Sequence, residues 1–490
     1  MTDFLSNYLR LEPPTWVFLS TFLAIGLFLM FHRFWSLRNL DIILILLFTP
    51  GLMMVFEGSK QVSQPSVGLV KNDLPRDTAD PARDFADPGG AEAVAAGPEG
   101  VKEVAPAPLD GPSAAERAFQ ATLQSPTLLY FGYLWLIIVA SLLVIRLLLD
   151  TAIVRRPMLD PNLSSGGMLF LGTSMLVYLL VNVAVSQPSY SGRDLTSGGP
   201  GYILMAALPD ISTVPMSELV DETGEEPKPP SRLKLLLSRC MSIGANLVMV
   251  LSIVAIGYWH FGNFKTGVGA ATLYLLLPYT AYMTGRVDHV VPSALLLLAV
   301  LLYRQPFAAG LCLGCAAGVV YYPFSLLPLW CSFYWQRGIR RFTGGFVTSI
   351  VGLVVAMIIL HPNNVLQHLG YMFGVKQIAM NGMDGIWGLG WYPVMRIPLI
   401  VIFVLLSISF VAWPAQKSLA TLMSCSAALM AATQCWHGFG GGLYLAWFVP
   451  LALLTIFRPN LDYCVALEVV RPRKRKPAKV SPPVEKATAA

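Results

Sequence analysis

Charge is the scarcest property of this 490-residue chain: Asp, Glu, Lys and Arg together make up 13% of it, against 55% hydrophobic residues. A soluble domain carries roughly a quarter charged residues, so a soluble globular protein is excluded. The net charge of +6 comes from Lys and Arg in short loops and one tail, and no nucleic-acid partner is expected. Catalytic fingerprints are missing too: no P-loop, GxSxG, HExxH or dinucleotide-binding pattern stands in a suitable context. No repeat of solenoid period is visible. The N-terminus lacks a small-residue cleavage pattern after its first apolar run, which predicts a retained helix. The seven cysteines are scattered. Cys312 and Cys315 form a CxxC with no His or acidic neighbour on a Gly/Ala helix, which predicts packing residues rather than a metal or redox site.

What remains is a succession of apolar runs. Thirteen candidate spans are expected, at 16–32, 41–56, 128–149, 167–186, 240–259, 267–284, 290–303, 306–320, 323–335, 343–360, 396–413, 418–434 and 443–457. The expected fold is an all-α polytopic transmembrane helix bundle with partly disordered external loops. Strict alternation puts Arg33, Arg38, Arg155, Arg156, Lys265, Arg304, Arg337, Arg340, Arg341, Lys417 and the C-terminal tail on one side, the cytoplasmic one. The expected location is the cytoplasmic membrane, with the C-terminus inside the cell. The tail 458–490, with Arg471, Arg473, Lys474, Arg475, Lys476 and Lys479, is expected to contact anionic membrane lipid or to act as a topology anchor.

The long loops fall on the other side and divide the chain. A transmembrane hairpin over 1–56 is followed by an acidic linker over 57–126, expected to be disordered, with ten acidic against three basic residues between Asp73 and Glu116. A second hairpin over 127–186 leads to an external loop at 187–238, then a central membrane core over 239–360. An external loop rich in Trp and Tyr at 361–395 suits the membrane interface, and the last helices occupy 396–457.

The compact charged cluster Arg286, Asp288, His289 stands between two apolar helices, where charge is costly unless it is functional or interfacial. Asp288 can accept a proton or hold a cation, and Arg286 can bind a phosphate oxygen; an interfacial ion pair is the plain alternative. Asp194, in the Gly/Ser-rich stretch YSGRDLTSGG, sits where backbone can approach a ligand closely, or is a turn aspartate. Arg193, His361, His368, Lys376, Asp384 and His437 collect on the same expected side. No pair of them has a recognised ligand spacing, so no cofactor is expected, with a divalent metal left open. Gly310, Gly314 and Gly318 share one helix face and predict close packing of that helix.

Gly285-Arg286-Val287-Asp288, then Arg304, then Ala309-Gly310 through Gly314 to Ala316 resemble the central block of polytopic GT-C superfamily glycosyltransferases, in their polyprenol-phosphate-mannose-dependent branch. The segment from Gly442 to Leu454, GLYLAWFVPLALL, resembles that family's aromatic-Pro final span. The resemblance covers about sixty central residues and a dozen near the end. The chain departs from the family in having Val320-Tyr321-Tyr322 where a basic residue is usual. The family's catalytic acid lies in the first external loop after the first span, whereas Glu57 here follows the second span and Asp194 the fourth. Asp194 is preferred for the aromatic and glycine content of its loop. The resemblance implies transfer of a sugar from a lipid-linked polyprenyl-phosphate donor to an external lipid or glycan acceptor. It implies Asp194, then Asp288, as catalytic base, and Arg286, His289 and His437 as substrate-binding groups on the phosphate side. Two further readings stand beside it: a multi-pass transporter or flippase, and a non-catalytic membrane scaffold.

Overall fold

The computed structural model describes residues 13–63, 114–152, 159–189, 200–206, 208–211, 213, 231–335, 337–360, 383, 385–415, 417–459, 461 and 465. Helices dominate: α1 (Pro13–Phe28), α2 (Leu37–Leu46), α3 (Phe48–Ser63), α4 (Ala114–Leu149), α5 (Ser165–Val185), α6 (Pro200–Ala206), α7 (Arg232–Trp259) and α8 (Phe264–Leu276). They continue with α9 (Pro278–Met283), α10 (Val287–Leu301), α11 (Pro306–Val319), α12 (Leu327–Phe333), α13 (Ile339–Leu360), α14 (Arg396–Ser409), α15 (Leu419–Ala432) and α16 (Val449–Phe457). The described strands are two-residue pieces, β1 (Pro188–Ser189) paired antiparallel with β2 (Asp210–Ile211).

Many helix starts follow from local chemistry. Ser36, Ser164, Ser231 and Asn263 each accept a backbone N–H of the first turn, and Ser418 with Thr421 forms a reciprocal capping box. Proline sets several boundaries: Pro278 divides the expected span 267–284 into α8 and α9, and Pro306 opens α11.

Among the described residues, five helical stretches are long and apolar enough to cross a membrane: Leu37–Ser59, Thr127–Ala152, Ser165–Val185, Arg232–Trp259 and Ile339–Leu360. The all-α membrane protein expected from the sequence is present, while most of the other expected spans come out as shorter helices. The reason is where they sit. In α8, α15 and α16 nearly every residue is buried, so their broken ends meet protein rather than lipid, the one setting in which irregular backbone is tolerated at membrane depth. Around this inner layer, α5, α13 and α14 turn apolar faces outward, with Phe170, Val351 and Leu405 exposed. Helical structure also reaches into the expected linker at both ends, since 57–63 finish α3 and 114–126 begin α4. Residues 64–113 of that linker, and 466–490 of the tail, lie outside the described residues.

The glycine face of α11 packs on α13. A Cβ at Gly310 would overlap the Phe342 carbonyl oxygen, and one at Gly345 would overlap that of Phe307, so each helix contributes a glycine to the other's backbone. Gly310→Val is expected to destabilise the fold by about 1–3 kcal/mol, as overpacking does. Unfolding in mixed micelles measures it, and a variant as stable as the wild type would show that the helices can separate without loss.

Charged side chains gather at the two ends of the bundle. One end holds Asp41, Arg146, Asp150 and Arg458 in a buried ion network, with Arg38 donating to the carbonyls of Phe28 and Asp160 and Lys265 paired with Asp160. The other end holds Asp210, Arg286, Asp288, His289, Arg396 and His437.

Candidate functional site

The second end is built around the turn between α9 and α10. Gly285 allows the Ile211 carbonyl to lie where a Cβ would be, which seats β2 against the turn. Arg286 then takes an extended backbone as the N-cap of α10 and puts Asp288 in the first helical turn, where the helix dipole favours a carboxylate. The guanidinium returns over that turn as a fork, Nη2 3.1 Å from Asp288 Oδ2 and Nε 3.4 Å from Oδ1. Asp288 is buried, whereas the Arg286 side chain is 27% exposed and so reaches toward the surface. Burial alone would lower the Arg286 pKa, but Asp288 and Asp210 outweigh it and raise it, so the guanidinium stays charged.

His289, the next residue, is held on both sides. Its Nδ1 shares a hydrogen bond with Tyr279 Oη at 2.7 Å, and its ring stacks on Tyr444 with centroids 4.3 Å apart. Tyr444 in turn stacks on Trp447, whose Nε1 donates to the Asp288 carbonyl at 3.2 Å. These contacts fasten the α15–α16 connection onto α10, and Ser293 Oγ donating to the Ala446 carbonyl at 2.6 Å adds a further tie. The connection is shaped from within: Gln434 Oε1 accepts the N–H groups of Gly442 and Tyr444, while Gly440 and Gly442 take positive φ values of 62° and 100°.

The same connection carries His437. Its Nδ1 hydrogen-bonds Tyr322 Oη, its ring meets the edge of Tyr444 at 4.7 Å, and its Nε2 is buried with no hydrogen-bond partner among the described residues. Arg396 lies alongside, its Nε donating to the Trp436 carbonyl at 3.0 Å. Burial first, then the cationic Arg396 and neighbouring His289, push the His437 pKa down to about 3, against a smaller opposing pull from Asp288. The imidazole is therefore neutral at physiological pH. The unfolded chain takes up a proton at His437 near pH 6.5 and the folded one near 3, so the unfolded state binds more protons throughout that window and stability falls as pH falls through it. His437→Gln is expected to flatten the acid limb of the stability–pH curve between pH 6.5 and 3. An unchanged acid limb would show that the folded protein protonates His437 freely.

Four residues singled out from sequence thus meet at one place: Arg286, Asp288, His289 and His437. Asp194, Arg193, His361, His368, Lys376 and Asp384 lie outside the described residues. Asp210, Tyr279, Tyr322, Arg396, Tyr444 and Trp447 belong to the cluster without having been expected. The pairing of Tyr321-Tyr322 with a proline, and Asp210 closing ALPD, were the available signals. Glu57, expected to open a linker, instead lies exposed on α3 beside Phe56, which stacks on Tyr282 at 4.5 Å. Among the described residues no group of three or more His, Cys, Asp or Glu side chains is placed to hold a metal ion. Chemically, the cluster offers a fixed cation, two imidazoles backed by tyrosines, of which His437 is neutral, and a carboxylate that holds the cation in place. The chain matches no family model, no curated protein and no solved structure.

Proposed function

We propose that this end of the bundle is the active site of a GT-C-like transferase, which moves a sugar from a polyprenyl-phosphate donor to an acceptor outside the cytoplasmic membrane, with the C-terminus in the cytoplasm. The observation that carries the reading is convergence. The two stretches that resemble the family, 285–316 and 442–454, lie far apart in sequence, yet His289, Ser293 and the Asp288 carbonyl of the first meet Tyr444, Ala446 and Trp447 of the second.

In this reading a carboxylate takes the proton of the acceptor hydroxyl as its oxygen attacks the anomeric carbon. The bond from that carbon to the lipid phosphate breaks, and the phosphate leaves with the electron pair. Arg286 receives the developing negative charge, with His289 and the neutral His437 as hydrogen-bonding partners. Asp194 takes the role of base. Asp288, the second choice for that role, is ion-paired to Arg286, which suits it to positioning the guanidinium; Glu57 is the exposed alternative on α3.

The test is transfer by the full chain in liposomes supplied with radiolabelled polyprenyl-phosphate sugars and envelope acceptors. Loss of transfer in Asp194→Ala or Glu57→Gln, with the other retained, identifies the base. No transfer from any such donor sinks the reading. A transporter is the second reading, favoured by the interruption of helix between α8 and α9 at Leu277-Pro278 beside the charged turn. Flux of a labelled lipid or solute across the same liposomes without any transfer would establish it instead.

A further inference from the structure

At the opposite end of the bundle a cavity of about 1000 Å³ opens between α12, the α12–α13 connection and the α14–α15 connection. We infer that it binds the phosphate headgroup of an anionic phospholipid whose acyl chains lie along α14. The inference rests on the protein being embedded in a membrane and is independent of the transferase reading.

Charge comes first. Arg337 and Lys417 line the cavity and no acidic residue does so among the described lining. The Arg337 guanidinium has no hydrogen bond or ion pair among the described residues, so its donors are available to a ligand. The Lys417 ammonium donates to the carbonyls of Val411 at 3.1 Å and Pro414 at 3.0 Å, which fixes it in place with one of its three protons unused. Among the described residues, Asp150, next to the lining residue Thr151, is committed to Arg146 and Arg458, and Asp41 to Arg146. Ser418, also in the lining, is the N-cap of the 14-residue α15, so the positive end of that helix adds to the field.

Shape and surroundings decide between a lipid and a free anion. Val401, Leu405, Ile408 and Val411 form an exposed apolar lane along α14, each more than half exposed, and the last of them lines the cavity. Trp335, 69% exposed, lines the cavity, and Trp413, 43% exposed, follows the lining residue Ala412; exposed tryptophans of this kind suit the interface of bilayer and water. A cationic cavity at the end of a lipid-facing lane suits a headgroup with chains attached; a free phosphate would gain nothing from the lane. The chain's own C-terminal tail is a poor occupant. Val465 lines the cavity, and the tail from Arg471 onward, RPRKRKPAK, repeats the cavity's own charge.

The experiment is native mass spectrometry of the full chain in detergent, titrated with dioctanoyl phosphatidylglycerol, dioctanoyl phosphatidylcholine or inorganic phosphate. Phosphatidylglycerol is expected to bind at least about fivefold more tightly than phosphatidylcholine, and each removed cation to weaken it about fivefold. Arg337→Gln is the decisive variant because its side chain holds nothing else in place; Arg337→Gln/Lys417→Gln extends the series. A variant with Arg471, Arg473, Lys474, Arg475, Lys476 and Lys479 all changed to Gln should keep the preference. Three results overturn the inference: equal binding of the two lipids, a preference that follows the tail rather than Arg337, or displacement of phosphatidylglycerol by an equal concentration of inorganic phosphate.

Discussion

Arg146→Met is expected to lower the unfolding free energy by about 3–5 kcal/mol, the cost of breaking a buried ion network by removing one partner. The guanidinium grips Asp41 in a bidentate pair, Nε to Oδ1 at 2.5 Å and Nη2 to Oδ2 at 2.7 Å, and reaches Asp150 with Nη1 at 3.5 Å. Asp150, whose side chain is fully buried, is also held by Arg458 Nη2 at 2.6 Å. This network ties α2 to α4 and, across 308 positions of sequence, Asp150 at the end of α4 to Arg458, the residue after α16. Methionine fills the arginine's volume but leaves Asp41 without its fork in a site too dry to hydrate a carboxylate. Arg146→Lys keeps a charge without the planar fork and should fall between the two. The diagnostic variant is Asp41→Leu/Arg146→Met, which removes the pair together, leaves Asp150 with Arg458, and should be more stable than Arg146→Met alone. Equilibrium unfolding in mixed micelles, followed by circular dichroism, reads all of these. Additive losses in the double variant would show that the two side chains do not interact.

What the sequence disclosed here follows from what each residue's surroundings contribute to its identity. The outer helices α4, α5, α7 and α13 meet lipid and need long uncharged runs, so they stand close to the expected 128–149, 167–186, 240–259 and 343–360. The inner helices α8, α15 and α16 meet protein on all sides. Their composition is equally apolar but their length is free of the bilayer, and a window that reads hydropathy alone cannot separate the two cases. The charged turn at 286–289 was conspicuous because charge is rare in this chain. Its partners were not: Tyr279 and Tyr444 lie in apolar stretches where an interfacial tyrosine looks the same, and Asp210 is joined to Arg286 only through folding of β2 onto Gly285. Arg146 and Asp150, four residues apart on one helix, were equally readable as the edge of a span, and only Asp41 and Arg458 reveal them as a buried network.

On the proposed transferase reading, Arg286→Gln is expected to reduce transfer by about 10²–10³-fold, or ~2.7–4 kcal/mol, the loss typical of removing a preorganised charge-stabilising donor. The side chain is suited to that role by its surroundings. Asp288 and Asp210 keep it charged, the fork with Asp288 fixes its plane, and its partial exposure leaves an edge for an incoming phosphate. Arg286→Lys should retain part of the activity as a point charge. Arg286→Gln also takes from the buried Asp288 the guanidinium that forks over it, so a loss of transfer alone can reflect a damaged fold. A buried carboxylate that has lost its cation is pushed toward its protonated form, which predicts that the variant regains stability as pH is lowered. Arg286→Gln/Asp288→Asn separates the two effects. Removing the orphaned negative charge should restore stability while leaving transfer as low as in Arg286→Gln. Recovery of both would make Arg286 a structural counter-ion to Asp288, and the leaving phosphate would then have to be met by Arg396 and the imidazoles of His289 and His437.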